Sequence, residues 1–348
     1  MEQKIILSQH FKIELATVIS ECEHDKIFVL TDETTKEKCW PQIKPLLSLK
    51  HAQTITIGVS DTHKNLATLV KVWKALGDKG ATRHSLLINL GGGMVTDLGG
   101  FAASTFKRGL NFINIPTTLL AMVDASVGGK TGINFNGFKN EIGVFNDSRF
   151  VILDTCFLKT LDESNIRSGY GEMLKHGLIS DESMWTELLK FDLTHPDLKK
   201  LQSMLADSIR VKERIVKNDP YEKGIRKALN FGHTFGHAFE SWSLKRKPIL
   251  HGYAVAYGLI CELYLSCLRM HFPTEKMHQT VSFIRDYYGT LPITCEDYPE
   301  LIQMMHHDKK NLGNDINVTL LGDIGDIHIN QTISEEEIKE VLDFFREG

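Results

Sequence analysis

The first half of the chain alternates short apolar runs with helix-length stretches, and this alternation constrains the fold more than any other feature. The stretch at 65–80 places apolar residues three and four positions apart, as on one face of a helix. The short runs are rich in β-branched residues and end at polar or glycine residues, which is typical of strands. The pattern predicts a parallel sheet covered by helices, with ligands at the carboxyl ends of the strands. The predicted strands are 26–32, 54–60, 85–93, 112–118 and 150–155.

The character of the sequence changes after about residue 160. Long helical patterns dominate there, at 181–193, 198–219, 252–272 and 275–289, and β-type runs are almost absent until 316–322. A length of 348 residues also fits two domains better than one. We therefore predict an α/β protein with a Rossmann-like, parallel-sheet nucleotide-binding domain at 1–160 and a mainly α-helical domain at 161–348. With no flexible linker in the sequence, we expect a packed junction and an active site in the cleft.

Composition excludes several classes of function. The formal net charge of −4 does not fit a nucleic-acid-binding protein, which normally carries a basic excess. No signal-peptide core and no apolar run long enough to span a bilayer can be found, so we expect no membrane association and a cytoplasmic location. The six cysteines lack CxxC spacing, which indicates reduced thiols.

A glycine-rich turn follows the third predicted strand, in the segment LINLGGGMVTDLGGF. Glycines let a backbone approach a phosphate closely, and a helix starting near Met94 would offer unpaired N–H groups to it. The pattern is not GxGxxG, so a tight turn between a strand and a helix explains the same residues equally well.

A second turn repeats this arrangement after the fourth predicted strand. Thr117 and Thr118 follow the strand, and Gly128, Gly129 and Lys130 then form a compact basic loop. The GGKT tail resembles a P-loop. The chain has Asp124 where that motif requires glycine, so we reject this interpretation.

The second half contains residues suited to a catalytic metal. His233 and His237 are four apart and can face one cavity from a helix, as can Glu172 and Lys175, which are three apart. His251 stands near the start of another helical pattern. A glutamate with two histidines leaves coordination positions open for water or substrate, as a catalytic zinc site requires. Spacing alone does not tell which histidine is the non-ligand.

Basic residues accumulate around the same segments. In an acidic protein they would form a focused positive cleft for a small molecule carrying phosphate or carboxylate. The alternative is that most are solvated surface residues, and for Lys212, on an amphipathic charged helix, the sequence leaves the two interpretations open. The residues are Arg108, Lys130, Lys139, Lys175, Lys212, Arg226, Lys309 and Lys310.

Together these motifs resemble the 3-dehydroquinate synthase family of sugar phosphate cyclases, over about residues 25–325. Two positions depart from the family pattern: Thr96 replaces a usual glycine, and Tyr253 replaces a glutamate, which could alter the packing behind a metal ligand. The resemblance is densest in GGGMVTDLGGF, FKRGLNFINIPTTLLAMVDASVGGKTGIN, FKNEIGVF, GEMLKHG, GIRKALNFGHTFGHAFE, LHGYAVAYG and DKKNLG.

The resemblance implies a zinc site, with cobalt as the alternative metal, formed by Glu172, His233 and His251. It implies that His237 is the non-ligand and transfers protons near the substrate. It also implies a homodimer in which Arg108 reaches the neighbouring subunit's site. The implied substrate contacts are Asp124, Lys130, Lys139, Asn140, Lys175, Lys212, Arg226, Asn230 and His237, with Lys309 or Lys310 closing over the site.

The implied cofactor is NAD. The NAD-binding region would start after the first predicted strand. It would include the glycine-rich turn and the segment that follows the predicted strand at 150–155. The implied residues are Asp32, Asp61, Lys64, Gly93, Met94, Val95, Thr96, Asp97, Thr117, Thr118, Lys130, Lys139, Phe157, Leu158, Lys159 and Thr160.

The family reaction converts an anionic sugar phosphate, 3-deoxy-D-arabino-heptulosonate 7-phosphate, into 3-dehydroquinate and phosphate. As the resemblance implies it, NAD oxidises the C5 hydroxyl, phosphate leaves, NADH returns the hydride, and an aldol step closes the ring. Two alternatives remain: another sugar phosphate cyclase, such as one resembling 2-deoxy-scyllo-inosose synthase, and a metal-dependent polyol dehydrogenase resembling glycerol dehydrogenase. A non-catalytic scaffold fits so many polar motifs poorly.

Overall fold

The computed structural model describes residues 3–136, 138–306 and 315–348. By packing, the chain forms two compact units: Met1–Leu161 with Leu198–Ala206, and Asp162–Asp197 with Asp207–Gly348. The short segment Leu198–Ala206 therefore packs with the first unit, although the division predicted from the sequence placed it in the second domain.

The first unit is built on a six-stranded sheet in which every neighbouring pair is parallel, in the order β1-β8-β5-β4-β2-β3. A separate antiparallel hairpin pairs β6 with β7. The strands are β1 Lys4–Leu7, β2 Ile27–Asp32, β3 Gln53–Ile57, β4 Leu86–Gly91, β5 Asn111–Pro116, β6 Lys130–Phe135, β7 Phe138–Phe145 and β8 Phe150–Leu153, and the helices are α1 Phe11–Glu21, α2 Glu33–Lys38, α3 Trp40–Ile43, α4 Leu66–Asp78 and α5 Gly93–Thr105.

The apolar core of this unit lies where α4 and α5 cover the sheet. Phe28 and Leu30 of β2 and Phe112 of β5 meet Leu69 of α4 and Leu98 of α5, and all are almost fully buried. Central strands that are apolar on both faces are expected in a parallel sheet with helices on it. The α/β fold class and all five predicted strands are confirmed.

Four strands were not predicted, each for a local reason. The strand β1 has only four residues, which are too few to show a β-type alternation. The hairpin strand β6 contains Gly132, and β7 contains Gly143, which weaken a β signal although the two backbones meet face to face. The strand β10, with the sequence DIHINQTI, is largely polar.

The second unit is mainly helical. Its centre is α10, which packs against α6, α9, α11 and α13 and against the hairpin of β9 and β10. None of the helices in the described part of the chain is long and apolar enough to cross a membrane. The elements are α6 Glu163–Leu178, α7 Glu182–Leu189, α8 Leu198–Asn218, α9 His233–Leu244, α10 His251–Met270, α11 Thr274–Tyr288, α12 Tyr298–His306, β9 Ile316–Asp323, β10 Asp326–Ile333 and α13 Glu335–Glu347, with α8 beginning in the segment that packs with the first unit.

Candidate active site

Three helices of the second unit bring Glu172, His233 and His251 together. Glu172 lies within α6, and the histidines are the first residues of α9 and α10. One ligand atom from each lies within 4.8 Å of the others. Glu172 Oε1 is 3.3 Å from Nε2 of both His233 and His251. This is the composition of a catalytic zinc site with open coordination positions.

Glycines allow these helices to approach at the level of their backbones. A Cβ at Gly252, next to His251, would overlap the backbone of Ser168 on α6, and a Cβ at Gly171, next to Glu172, would overlap the carbonyl of Gly252. The amide of Gly252 donates to Ser168 Oγ over 3.1 Å. The positions of the two ligands are therefore fixed by direct contact between their helices.

The cluster has the electrostatics of a cation site. Glu172 is completely buried, and its Oε1 makes no well-formed hydrogen bond among the described residues. Its Oε2 accepts a hydrogen bond from the buried ammonium of Lys175. Burial alone would raise the pKa of Glu172, but the charges of Lys175 and His233 hold that pKa well below its usual range. An ionised carboxylate with an unsatisfied oxygen between two imidazoles fits a divalent metal ion.

Glu240 orients His251. Its Oε2 lies 3.3 Å from His251 Nδ1, so the other ring nitrogen faces Glu172. Burial lowers the pKa of His251, but the charge of Glu240 and the close approach of both carboxylates outweigh it and raise this pKa to about 10. A carboxylate behind a ligand histidine is a common feature of zinc sites. Sequence reasoning gave Glu240 no role, although it stands three residues after His237 on the same helix.

His237 lies beside the cluster without joining the three converging ligand atoms. Its ring centroid is 5.3 Å from that of His233 and 6.0 Å from that of His251. This geometry separates the two histidines that the spacing alone could not distinguish.

The other predicted substrate contacts of this unit are partly or fully buried. Lys212 is 5% exposed and Arg226 is 2% exposed, so neither is a solvated surface residue. Arg226 Nη1 donates to the carbonyl of Pro220 over 2.5 Å, and Asn230 Nδ2 donates to Glu222 Oε1 over 2.9 Å. Lys309 and Lys310 lie outside the described residues.

In the first unit, the predicted cofactor residues gather where the strands end. Asp32 ends β2, and its carboxylate accepts a 2.7 Å hydrogen bond from the Thr35 amide as the N-cap of α2. Gly92 leads from β4 into α5, whose cap has no side-chain hydrogen bond. The amide of Thr117 donates to Gly91 O over 3.0 Å, which places the end of β5 beside this turn. The amides at the start of a helix without a capping side chain suit a pyrophosphate.

A polar network lies nearby in the same unit. The buried ammonium of Lys64 donates to Asp97 and to Asn140. Burial raises the pKa of Asp97, and the charge of Lys64 offsets only part of that rise. The exposed Lys139 pairs with Asp61 over 3.6 Å. Lys64 therefore links Asp97 to Asn140, and Asn140 is next to Lys139, which contacts Asp61. These five predicted residues form one connected group.

Several predicted residues bury their side chains or stand apart. Val95, Thr96, Phe157 and Leu158 have side chains in the core, so only their backbones could reach a cofactor, whereas Lys159 and Thr160 are exposed. The remaining predicted residues of this unit are Met94 and Gly93 at the start of α5, Thr118 just after β5, Asp124 in the helical turn Ala121–Ala125, and Lys130 and Arg108, both exposed.

The two departures from the family pattern are accommodated locally. Thr96 Oγ1 donates to Gly93 O over 3.1 Å inside α5. The ring of Tyr253 packs edge-on against Tyr288, with centroids 4.9 Å apart, two residues beyond His251.

Comparison with solved structures gives the fold. A 2-deoxy-scyllo-inosose synthase, complexed with carbaglucose-6-phosphate, NAD+ and Co2+, has a TM-score of 0.86 and 23% identity, covering 99% of this chain and 96% of that one. The 2-epi-5-epi-valiolone synthase of Streptomyces hygroscopicus, with NAD+ and Zn2+ bound, has a TM-score of 0.88 and 23% identity, covering 100% and 97%. The chain thus shares the fold of these two synthases.

Comparison of sequences is more specific. The family models for the N-terminal and C-terminal parts of 3-dehydroquinate synthase match residues 54–168 and 169–311. A 3-dehydroquinate synthase of Parabacteroides distasonis is 52% identical over 348 residues, covering 100% of this chain and 99% of the relative. The chain belongs to the 3-dehydroquinate synthase family.

Proposed function

We propose that Glu172, His233 and His251 hold the catalytic metal of this enzyme, with zinc or cobalt as the ion. The enzyme converts 3-deoxy-D-arabino-heptulosonate 7-phosphate into 3-dehydroquinate and phosphate, with NAD and a divalent metal as cofactors. The observation that carries the residue assignment is the convergence of three ligand atoms within 4.8 Å, including a buried carboxylate oxygen without a well-formed hydrogen bond.

The bound metal supplies a Lewis acid for the substrate hydroxyls, and NAD supplies an acceptor that takes a hydride and returns it. The residues of the chain bind and orient the substrate. Lys130, Lys175, Lys212 and Asn140 are the proposed phosphate contacts, and well-placed cations stabilise charge that develops as phosphate leaves. Lys175 donates to Glu172, which places its positive charge beside the proposed metal site.

His237 is proposed to move a proton beside the metal. Its position next to both ligand histidines, outside the set of converging atoms, supports this role. Asp32, Asp61, Lys64, Asp97, Thr117 and Thr118 are the proposed side-chain contacts of NAD, and they belong to the strand ends where nucleotides bind in such sheets.

A homodimer in which Arg108 serves the neighbouring subunit is also proposed. Arg108 is exposed, with a left-handed φ of 69°, in a turn beside a surface groove. Phe145, which is 51% exposed, and Val144, which is 37% exposed, line that groove of about 430 Å³ together with Arg108. Exposed apolar side chains beside a cation suit a subunit contact.

Mixed dimers test this arrangement. The variants Arg108→Ala and His237→Ala are each expected to turn over far more slowly than the wild type, whereas a mixture unfolded and refolded together should recover activity, because one site of the heterodimer is intact. No recovery, with heterodimers present by mass spectrometry, would refute the contribution of Arg108 across the interface.

One assay separates the competing activities. The protein is mixed with NAD, zinc and the heptulosonate phosphate, and inorganic phosphate, carbocycle and NADH are measured with and without a chelator. We expect phosphate and 3-dehydroquinate without net NADH, and loss of both products with the chelator. Accumulating NADH would indicate a polyol dehydrogenase, and turnover of a different sugar phosphate would indicate another cyclase.

A cytoplasmic location remains a proposal, supported by six free thiols.

A further inference from the structure

The start of α9 is held from outside by a buried carboxylate on α10. Glu262 is completely buried, and its Oε2 accepts a 2.8 Å hydrogen bond from the Gly232 amide. Its Oε1 accepts a 3.2 Å hydrogen bond from the Thr234 amide. These two amides stand on either side of His233, so both oxygens of Glu262 accept hydrogen bonds from the backbone that carries a proposed metal ligand.

This helix lacks an ordinary cap. The first turn of a helix leaves amides that a Ser, Thr, Asp or Asn side chain at the N-cap normally satisfies. At that position α9 has Gly232, in the left-handed region with φ of 80° and without a side-chain hydrogen bond. Glu262 supplies the missing acceptors, and its carboxyl oxygens lie at the positive end of the α9 dipole.

Close packing explains why the cap comes from another helix. A Cβ at Gly232 would lie 2.8 Å from Leu259 Cδ2 and 3.1 Å from the Leu259 amide nitrogen, and a Cβ at Gly258 would overlap the carbonyl of Gly232. Gly258 is one turn before Glu262 on α10. The backbone at the start of α9 therefore lies directly on α10, with no space for a capping side chain of its own.

The ring of His233 is anchored to the same short segment. Its Nδ1 lies 3.1 Å from the carbonyl of Phe231, which leaves Nε2 facing Glu172 Oε1 at 3.3 Å. The direction of Nε2 therefore depends on the backbone at residues 231–234, and Glu262 holds that backbone. Because α10 also begins with His251, one helix sets the position of two ligands.

We propose that Glu262 is a positioning residue for the metal centre, which acts through the backbone on both sides of His233 without touching the ion. The inference rests on the proposed metal site. Loss of Glu262 would leave two buried amides without their acceptor and would let the start of α9 shift away from the other ligands.

The test measures zinc affinity rather than activity alone. Glu262→Ala and Glu262→Gln are expected to raise the zinc Kd by about 10- to 100-fold, measured by competition with a chromophoric chelator, with the smaller effect in the glutamine variant because it keeps one acceptor oxygen. Saturating zinc should return kcat towards the wild-type value. The glutamine variant keeps the side-chain volume, so it decides the question if the alanine variant does not fold.

Tyr257→Phe is the matched control. It removes a buried α10 hydrogen bond, from the Tyr257 hydroxyl to the carbonyl of Tyr288 at 2.7 Å, which does not involve α9. We expect it to lower the Tm of the metal-free protein and to leave the zinc Kd unchanged. If the Glu262 variants also show a lower Tm with an unchanged zinc Kd, Glu262 merely stabilises the fold and the proposal is wrong.

His233→Ala distinguishes this failure from failure of the metal site itself. If His233→Ala loses zinc while the Glu262 variants keep wild-type affinity, only the positioning role is refuted. If His233→Ala keeps zinc, the metal centre is misassigned and the role of Glu262 falls with it.

Discussion

The strand ends of the first unit and the ligand cluster of the second unit arrange polar groups in opposite ways. In the first unit, the exposed side chains of Lys130 and Lys139 on the hairpin of β6 and β7 accompany backbone groups at the turns after the strands and at the start of α5. In the cluster, Glu172 and Lys175 are fully buried and neutralise each other. The first arrangement suits a long cofactor that the backbone can contact, and the second concentrates charge where water is excluded and electrostatic interactions are strong.

The difference also has an energetic consequence. A polar group on a sheet edge can exchange its protein partner for water at little cost, whereas a buried charge that loses its partner is strongly destabilising. Substitutions in the cluster should therefore affect metal binding, stability and turnover together, and substitutions of exposed residues at the strand ends should affect mainly cofactor affinity.

The largest effect is expected from Glu172→Ala. It removes the only carboxylate among the three converging ligands, so we expect loss of bound zinc and a fall in phosphate release of at least about 10³-fold, beyond that of a single lost electrostatic donor. Metal content by mass spectrometry and a phosphate assay check both. Full zinc occupancy in this variant would refute the ligand assignment.

Lys175→Met should destabilise the metal-free protein by about 3–5 kcal/mol, because it leaves the buried Glu172 carboxylate without its cation. Zinc should restore much of this stability, since a divalent ion neutralises the same carboxylate. Urea unfolding with and without zinc measures the difference.

The control for this comparison is Lys276→Met. Lys276 pairs with Asp323 and Glu182, whose side chains are 51% and 64% exposed, so its loss should cost only about 0–1 kcal/mol, with no effect of zinc on that cost. If Lys175→Met resembles this surface variant, the electrostatic description of the cluster is wrong.

His237→Gln is expected to slow turnover by about 10²-fold while zinc stays bound, because the side chain moves a proton and does not hold the ion. The exposed His278 on α11 provides the control, and His278→Gln should leave turnover unchanged. Loss of zinc from His237→Gln would show that the roles of His237 and a ligand histidine have been exchanged.

The smallest effect is expected at the strand end. Asp32→Ala should lower the free energy of unfolding by about 1 kcal/mol through loss of the α2 cap, whereas Asp32→Asn keeps the cap. If Asp32 also binds NAD, both variants should raise the NAD Kd by about tenfold, as for loss of one hydrogen bond to a charged group, with zinc affinity unchanged. Wild-type NAD affinity in Asp32→Asn would restrict Asp32 to capping.

The strand-end residues were predictable because their order along the chain gives their position. Each parallel strand delivers the residues after it to the same edge, so the ends of β2, β4 and β5 could be grouped from the strand pattern, and the family resemblance named Asp32, Gly93 and Thr117 there. The hairpin of β6 and β7 could not be predicted in this way, because its glycines weaken the β pattern. Those glycines are explained only by the close approach of the two backbones.

By itself, the sequence determined the alternation of elements, the helical spacing that puts Glu172 on one face with Lys175, and, through family motifs, the three proposed ligand residues. Only the tertiary structure decided that Glu240 stands behind His251, that Lys212 is buried, and that Glu262 caps the helix carrying His233. Periodicity specifies which residues share a face within one helix. It carries no information on which buried acid of another helix meets an unpaired amide, because that depends on how closely glycines let the helices approach.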